Sequence, residues 1–121
     1  MLKDEIEDDE FLYRGIVTQN WDFENDRPTS ATFKDSKGVS VDRDGGRKEK
    51  NCIAKLISVK DFHAICKVKT KDVRGLDAVV FYRPTPGNDF HSEIHDSKER
   101  IQMRGKKPSK IREKSLVVYK K

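Results

Sequence analysis

Residues 47–69 read RKEKNCIAKLISVKDFHAICKVK, and the hydrophobic period changes inside that stretch. Cys52, Ile53, Leu56 and Ile57 recur at helical spacing, which predicts a helix over residues 47–58 with one apolar face. Asp44 stands in its N-cap neighbourhood. From Phe62 to Lys69 the period is two. Ala64, Cys66 and Val68 point one way and His63, Lys67 and Lys69 the other, with Ile65 the exception, which predicts a half-buried strand. A chain that switches period this way, with short strands on either side, is read as α+β.

Working outward, Phe11–Val17 (FLYRGIV) is aromatic and β-branched and reads as a strand. Residues 18–30 have loop composition but carry Trp21 and Phe23, and the indole is expected to fold back over the core. Ala31–Phe33 reads as a short strand, residues 35–38 as a turn, Val39–Val41 as a strand, and Asp44-Gly45-Gly46 as a break. Beyond the central stretch, Asp77–Arg83 is apolar on both faces, as expected of a central strand. Pro84–Asn88 is a loop and Phe90–His95 a strand. Lys98–Arg104 is a candidate short helix, interrupted by Gly105 and Pro108, and Ser115–Tyr119 is a final strand. The expected architecture is a small mixed or antiparallel sheet of five to six short strands with one or two packing helices.

The 121 residues suit one domain, 11–121, behind an acidic lead-in, 1–10, that is frayed or a short helix. Hydrophobic residues are 34% and charged residues 39%; the apolar residues cluster (VVFY at 79–82, LVVY at 116–119), so a modest core is expected rather than disorder. No apolar run approaches the ~20 residues needed to cross a bilayer. The first ten residues lack an apolar signal region, so no membrane partner is expected and the cytoplasm is the expected compartment. Cys52 and Cys66, without any CxxC, read as buried reduced thiols, which excludes a four-thiolate zinc site within the chain.

Charge is unevenly placed. Residues 1–10 carry a net of −5 and residues 98–121 a net of +8, within a total of +5. The basic segment holds Arg100, Arg104, Lys106, Lys107, Lys110, Arg112 and Lys114. It points to a polyanionic partner, or to a basic surface that the acidic lead-in neutralises by folding back. Tyr119 is its only aromatic side chain, so base-specific stacking is not implied.

Three further groups carry chemistry. On the strand His91-Ser92-Glu93-Ile94-His95, the residues His91, Glu93 and His95 share one face and suit general acid–base work. The spacing is not the helical HExxH of zinc enzymes, and no metal is assigned. Arg14 shares a strand face with Leu12 and Ile16. A guanidinium there needs an internal acid or an anionic ligand, since it cannot shed its charge. The run Val39-Ser40-Val41-Asp42-Arg43-Asp44-Gly45-Gly46-Arg47-Lys48 leads from a strand through Gly-Gly into the helix. It is either a tight connection or an anion site formed by backbone N–H groups with Arg43, Arg47 and Lys48. Ser40 and Asp42 are further candidates, and Asp42 with Asp44 is a weak cation signal.

The pattern Leu12-Tyr13-Arg14, Phe33-Lys34-Asp35, Gly38-Val39-Ser40-Val41-Asp42 and Phe90-His91-Ser92-Glu93-Ile94 resembles one found in small stand-alone bacterial and phage proteins, from which no activity carries over. Leu12-Tyr13-Arg14-Gly15 is also similar to the first motif of arginine–serine–glutamate ADP-ribosyltransferases. That resemblance implies Arg14, then Ser30 or Ser40, then Glu93 around a nicotinamide dinucleotide. The Ser-Thr-Ser stretch of that family is missing, and Ser92-Glu93 replaces its usual acidic segment.

The reading that leads is a small protein that binds or processes a phosphate-bearing partner, nucleic acid first, with no cofactor. In its enzymatic form, a toxin-type ribonuclease, His91 is the acid or base, Glu93 or His95 assists, and Arg14 holds the developing charge. The alternatives are an NAD-using transferase built on Arg14 and Glu93, and a non-catalytic module of a larger defence-type complex with a protein partner.

Overall fold

The computed structural model describes residues 2–121. Eight strands and three helices follow in chain order: β1 (Phe11–Ile16), β2 (Trp21–Asp22), β3 (Arg27–Pro28), β4 (Val39–Arg43), α1 (Glu49–Val59), β5 (Ala64–Lys69), α2 (Thr70–Arg74), β6 (Val79–Tyr82), β7 (His91–His95), α3 (Lys107–Lys114) and β8 (Leu116–Lys120). Six strands form one antiparallel sheet in the order β6-β7-β4-β1-β5-β8, and β2 pairs with β3 as a separate ribbon. The fold is α+β.

Alternation along the strands divides the sheet into two faces. Leu12 and Ile16 of β1, Val39 and Val41 of β4, Ala64, Cys66 and Val68 of β5 and Ile94 of β7 build the main core. Ile111 of α3, Val73 of α2, Phe33, Trp21 and Ile6 close over it. The opposite face packs α1 through Cys52 against Tyr13 and Ile65, with Ile53 and Leu56 alongside. The exception in the β5 alternation, Ile65, is therefore the residue that meets the helix. Trp21 is buried, as the loop reading expects, whereas Phe23 is exposed.

Several elements differ from expectation. Ala31–Phe33 is not a strand: Ser30–Phe33 forms a 3₁₀ turn that buries Thr32 and Phe33. Thr32 and Phe33 gain more by burial than by seeking a ladder partner, and Ala31 stays exposed. Lys98–Arg104 is not helical, because side chains take its backbone donors. Ser97 Oγ accepts from the N–H groups of Glu99 and Arg100, and Asp96 Oδ1 from that of Arg104. The helix lies later, as α3, and Pro108 sits in its first turn, where a missing N–H costs nothing. The strand expected to be central, β6, is an edge strand paired only with β7. It is apolar on both sides because Val80 and Tyr82 lean on the core, while Phe81 meets the His95 ring edge-on at 5.0 Å. The short α2 falls between the stretches read as strands, 62–69 and 77–83.

Over its described residues, 2–10, the acidic lead-in is neither frayed nor helical. Ile6 is fully buried, Glu10 grips Arg43, and Glu5 and Asp8 hold Arg74. It folds back, but onto these two arginines and not onto the basic segment.

Candidate active site

The β1–β4 ladder registers only Leu12 with Arg43 and Tyr13 with Asp42. Beyond those pairs Arg14 does the joining: its Nη1 donates to the Ser40 carbonyl at 2.8 Å and its Nε to the Thr32 carbonyl at 3.1 Å. The Thr32 carbonyl belongs to the 3₁₀ turn. Arg14 thus satisfies the carbonyls of two neighbouring segments and, among the described residues, has no carboxylate partner within ion-pair distance. Burial draws its pKa below the ordinary arginine value, though a guanidinium in a protein stays charged.

A cavity of about 160 Å³ lies between these strands and α1. Tyr13, Leu56, Val59 and Phe62 give it apolar walls, Ser40, Asp42, Asn88 and His91 give it polar ones, and Arg14, Gly15 and Val41 border it from strands whose Arg14 and Val41 side chains leave on the other face. Gly15 lets the Phe62 ring lie directly on β1, since a Cβ there would fall well inside contact distance of three ring carbons.

His91 is held in one orientation. Its Nδ1 is 2.8 Å from the Arg83 carbonyl. A carbonyl only accepts, so Nδ1 carries the proton, and Nε2 of the neutral ring is left as an acceptor. That nitrogen lies 3.3 Å from Ser40 Oγ on the exposed rim. Asp42 stands directly opposite His91 across the β4–β7 ladder and is only 3% exposed. Its Oδ1 accepts from Asn88 Nδ2 at 2.9 Å, while its Oδ2 has no hydrogen-bond partner. Asn88 is fixed in turn, its Oδ1 accepting from the Phe90 N–H at 3.0 Å and its backbone bridging to Thr85.

Glu93 and His95 share the face of His91 but do not line the cavity. Glu93 Oε1 is 2.9 Å from His95 Nε2 and 3.3 Å from Arg83 Nε. His95 is buried and packs against Gly38, where a Cβ would come within 2.6 Å of Nε2. The pair braces the strand. Arg14 and Glu93 leave the sheet on opposite faces, so the arrangement implied by the transferase resemblance is not assembled.

The Gly-Gly connection is already filled by the chain's own carboxylates. Gly45 N–H donates to Glu10 Oε1 and Gly46 N–H to Asp44 Oδ1. Arg43 is buried and forked onto Glu10, at 3.0 Å and 2.6 Å. Burial pushes the Glu10 pKa up, but the bonds from Arg43 and Gly45 outweigh it and hold the carboxyl below its ordinary value. Arg47 donates to the carbonyls of Asp44 and Arg43 and stacks on Phe90 at 3.4 Å; Lys48 is exposed. Glu7, Asp9, Glu10 and Asp44 line the adjoining depression, a poor setting for an anion.

The basic segment lies on the other layer of the sheet, where Ile111 of α3 enters the main core. Lys107 is tied to Asp96 at 3.2 Å and Lys110 lies 3.9 Å from Glu113. Arg104, Lys106 and Lys110 are exposed and Arg112 is half-buried. The basic segment and the His91 cavity therefore lie on opposite faces of the sheet. Among the described residues no group of three His, Cys, Asp or Glu side chains is placed to hold a metal ion, and no helix is long and apolar enough to cross a membrane.

The sequence reading named Arg14, Ser40, Asp42 and His91 separately; the cavity joins the last three, while the Arg14 side chain turns to the other face of the sheet. It missed Asn88, Phe62, Leu56, Val59 and the Arg83 carbonyl. Only Asn88, beside Gly87 in a turn, had a local signal. Comparison of the chain with protein-family models, with curated proteins and with solved structures finds no match.

Proposed function

We propose that the chain binds and cleaves a phosphate-bearing partner, RNA first, with His91 as the proton-transfer group. The observation that carries this reading is the ordered line from the Arg83 carbonyl through His91 to Ser40 Oγ at the mouth of a cavity that also holds Asp42 and Asn88. A base aimed by a second group at a hydroxyl is the arrangement that activates an oxygen nucleophile. Ser40 Oγ marks where a substrate hydroxyl sits. In RNA that hydroxyl is the 2′-OH. Nε2 takes its proton, the oxygen attacks the adjacent phosphorus, and the bond to the 5′-oxygen breaks. The leaving oxygen keeps the electron pair and takes a proton from water, giving a 2′,3′-cyclic phosphate. Arg14, its guanidinium spent on the Thr32 and Ser40 carbonyls on the other face of the sheet, takes no part in this step and holds the strands that carry it.

The test uses labelled single- and double-stranded RNA and DNA at several salt concentrations, followed for both mobility and integrity. RNA cleavage that His91→Ala abolishes and Ser40→Ala retains, with DNA uncut, is expected. An absence of any interaction at low salt overturns the reading. A second, non-catalytic reading is favoured by the exposed Arg104, Lys106 and Lys110 on the far layer. It predicts salt-sensitive binding that Lys106→Ala with Lys110→Ala weakens and His91→Ala leaves alone.

A further inference from the structure

The cavity holds an unused acceptor. Asp42 is 3% exposed, Asn88 engages only its Oδ1, and Oδ2 has no partner. A buried carboxylate oxygen without a donor loses its hydration and regains nothing, so such atoms are rare and call for an explanation. The register places Asp42 beside His91 and Tyr13, and all three line the same cavity. Oδ2 has almost no accessible surface of its own, so an N–H donor arriving through that cavity satisfies it when the Asp42 carboxyl turns toward the opening.

Size and walls narrow the donor. About 160 Å³ is small beside the pockets that take drug-sized molecules and suits a single planar ring system. Tyr13, Phe62, Leu56 and Val59 offer the apolar surfaces against which such a ring packs. A flexible ammonium side chain would leave those walls unused. A heteroaromatic ring with N–H groups on one edge uses both the walls and the acid.

We infer that this cavity is a base-specificity pocket in which Asp42 accepts hydrogen bonds from the N–H edge of a nucleobase, guanine being the best match. Guanine presents N1–H and N2–H₂ side by side, and a carboxylate can accept from both, through Oδ2 and the remaining lone pair of Oδ1. Uracil, with one imino donor between two carbonyls, turns those oxygens toward the acid. The inference rests on the proposed function: a base seated beside Asp42 brings its attached ribose and phosphate toward Ser40 and His91 at the mouth.

The first experiment is calorimetric titration of the intact protein with guanosine, inosine, adenosine, cytidine and uridine monophosphates. Guanosine monophosphate is expected to bind on the order of 10- to 100-fold more tightly than uridine monophosphate. Inosine, which lacks the N2 amino group, is expected to fall between them. Asp42→Asn, checked for folding by circular dichroism, is expected to remove the guanosine preference. Equal affinities for all five, or no binding of any, overturns the pocket. RNA fragments mapped in parallel separate the two proposals. Cleavage that requires His91 but ignores base identity sinks the pocket and keeps the nuclease. Guanosine-selective binding of the mononucleotide without cleavage of RNA keeps the pocket and sinks the nuclease, leaving a free nucleotide as the ligand.

Discussion

Replacing Glu10 by Gln tests how residues 2–10 are held to the sheet. Glu10 receives two hydrogen bonds from Arg43 and one from the Gly45 N–H. The Arg43 side chain is 3% exposed and that of Glu10 12%. The amide keeps the shape and one acceptor oxygen but loses the charge and turns an NH₂ group toward the guanidinium, which is left in the interior without a carboxylate, beside the Lys3 carbonyl and the Tyr82 ring at 4.6 Å. Breaking a buried pair from one side costs about 3–5 kcal/mol, a large part of the ~5–15 kcal/mol that a domain commands. With a urea slope of about 2 kcal/mol per M, the unfolding midpoint should fall by roughly 2 M. Trp21, the sole tryptophan, is buried and reports the transition by fluorescence. The pH dependence gives a second reading. The folded pKa of Glu10 lies below its ordinary value, so its contribution is present above the unfolded carboxylate value of about 4.3 and is lost as pH falls through the lower folded one. The gap between wild type and variant should therefore close in acid. A midpoint shift under about 0.5 M at neutral pH, with the slope unchanged, would refute the claim that this pair anchors the segment.

Gly15→Ala forces the Phe62 ring off β1 and is expected to destabilise by about 1–3 kcal/mol, measured by the same denaturation. Burial pushes the Cys66 thiol up to about 12 and raises that of Cys52, so neither should react with a disulfide reagent at pH 8 until denaturant is added; a stoichiometric native reaction would contradict their burial. Phe23 is 64% exposed, and Phe23→Ser should change stability by less than about 0.5 kcal/mol.

Much of the sheet was legible because alternation survives wherever one strand face is buried. Residues 64–69 and 91–95 showed it, and α1 announced itself through its apolar spacing. What was not legible depended on partners distant in sequence. Nothing in Asp77–Arg83 says that its second neighbour is missing. Nothing in Ala31–Phe33 says that Phe33 will leave the surface for the core. The candidate site divided the same way. Arg14, Ser40, Asp42 and His91 stood out by residue type, but that the last three meet and Arg14 turns away depends on β4 lying between β1 and β7, which local patterns do not encode. The basic segment stood out by charge alone, and charge carries no information about which layer a helix will join.

The six-stranded sheet is open at both ends, and a free strand invites a second copy to extend the ladder. The two ends resist this by different means. At β6 the strand is only four residues long and Pro84 follows at once after Arg83, so a visiting strand finds few donors in a row. At β8 the strand presents the exposed Leu116, and resistance comes from Lys114 before it and from Lys120 and Lys121 after it, the latter two partly offset by Asp26 and Asp61. An antiparallel copy would bring Lys114 of one chain toward the Lys120–Lys121 end of the other. The first safeguard is indifferent to ionic strength, whereas the second weakens as salt shortens the range of repulsion. Self-association, where it occurs, should begin at the β8 edge and in concentrated salt.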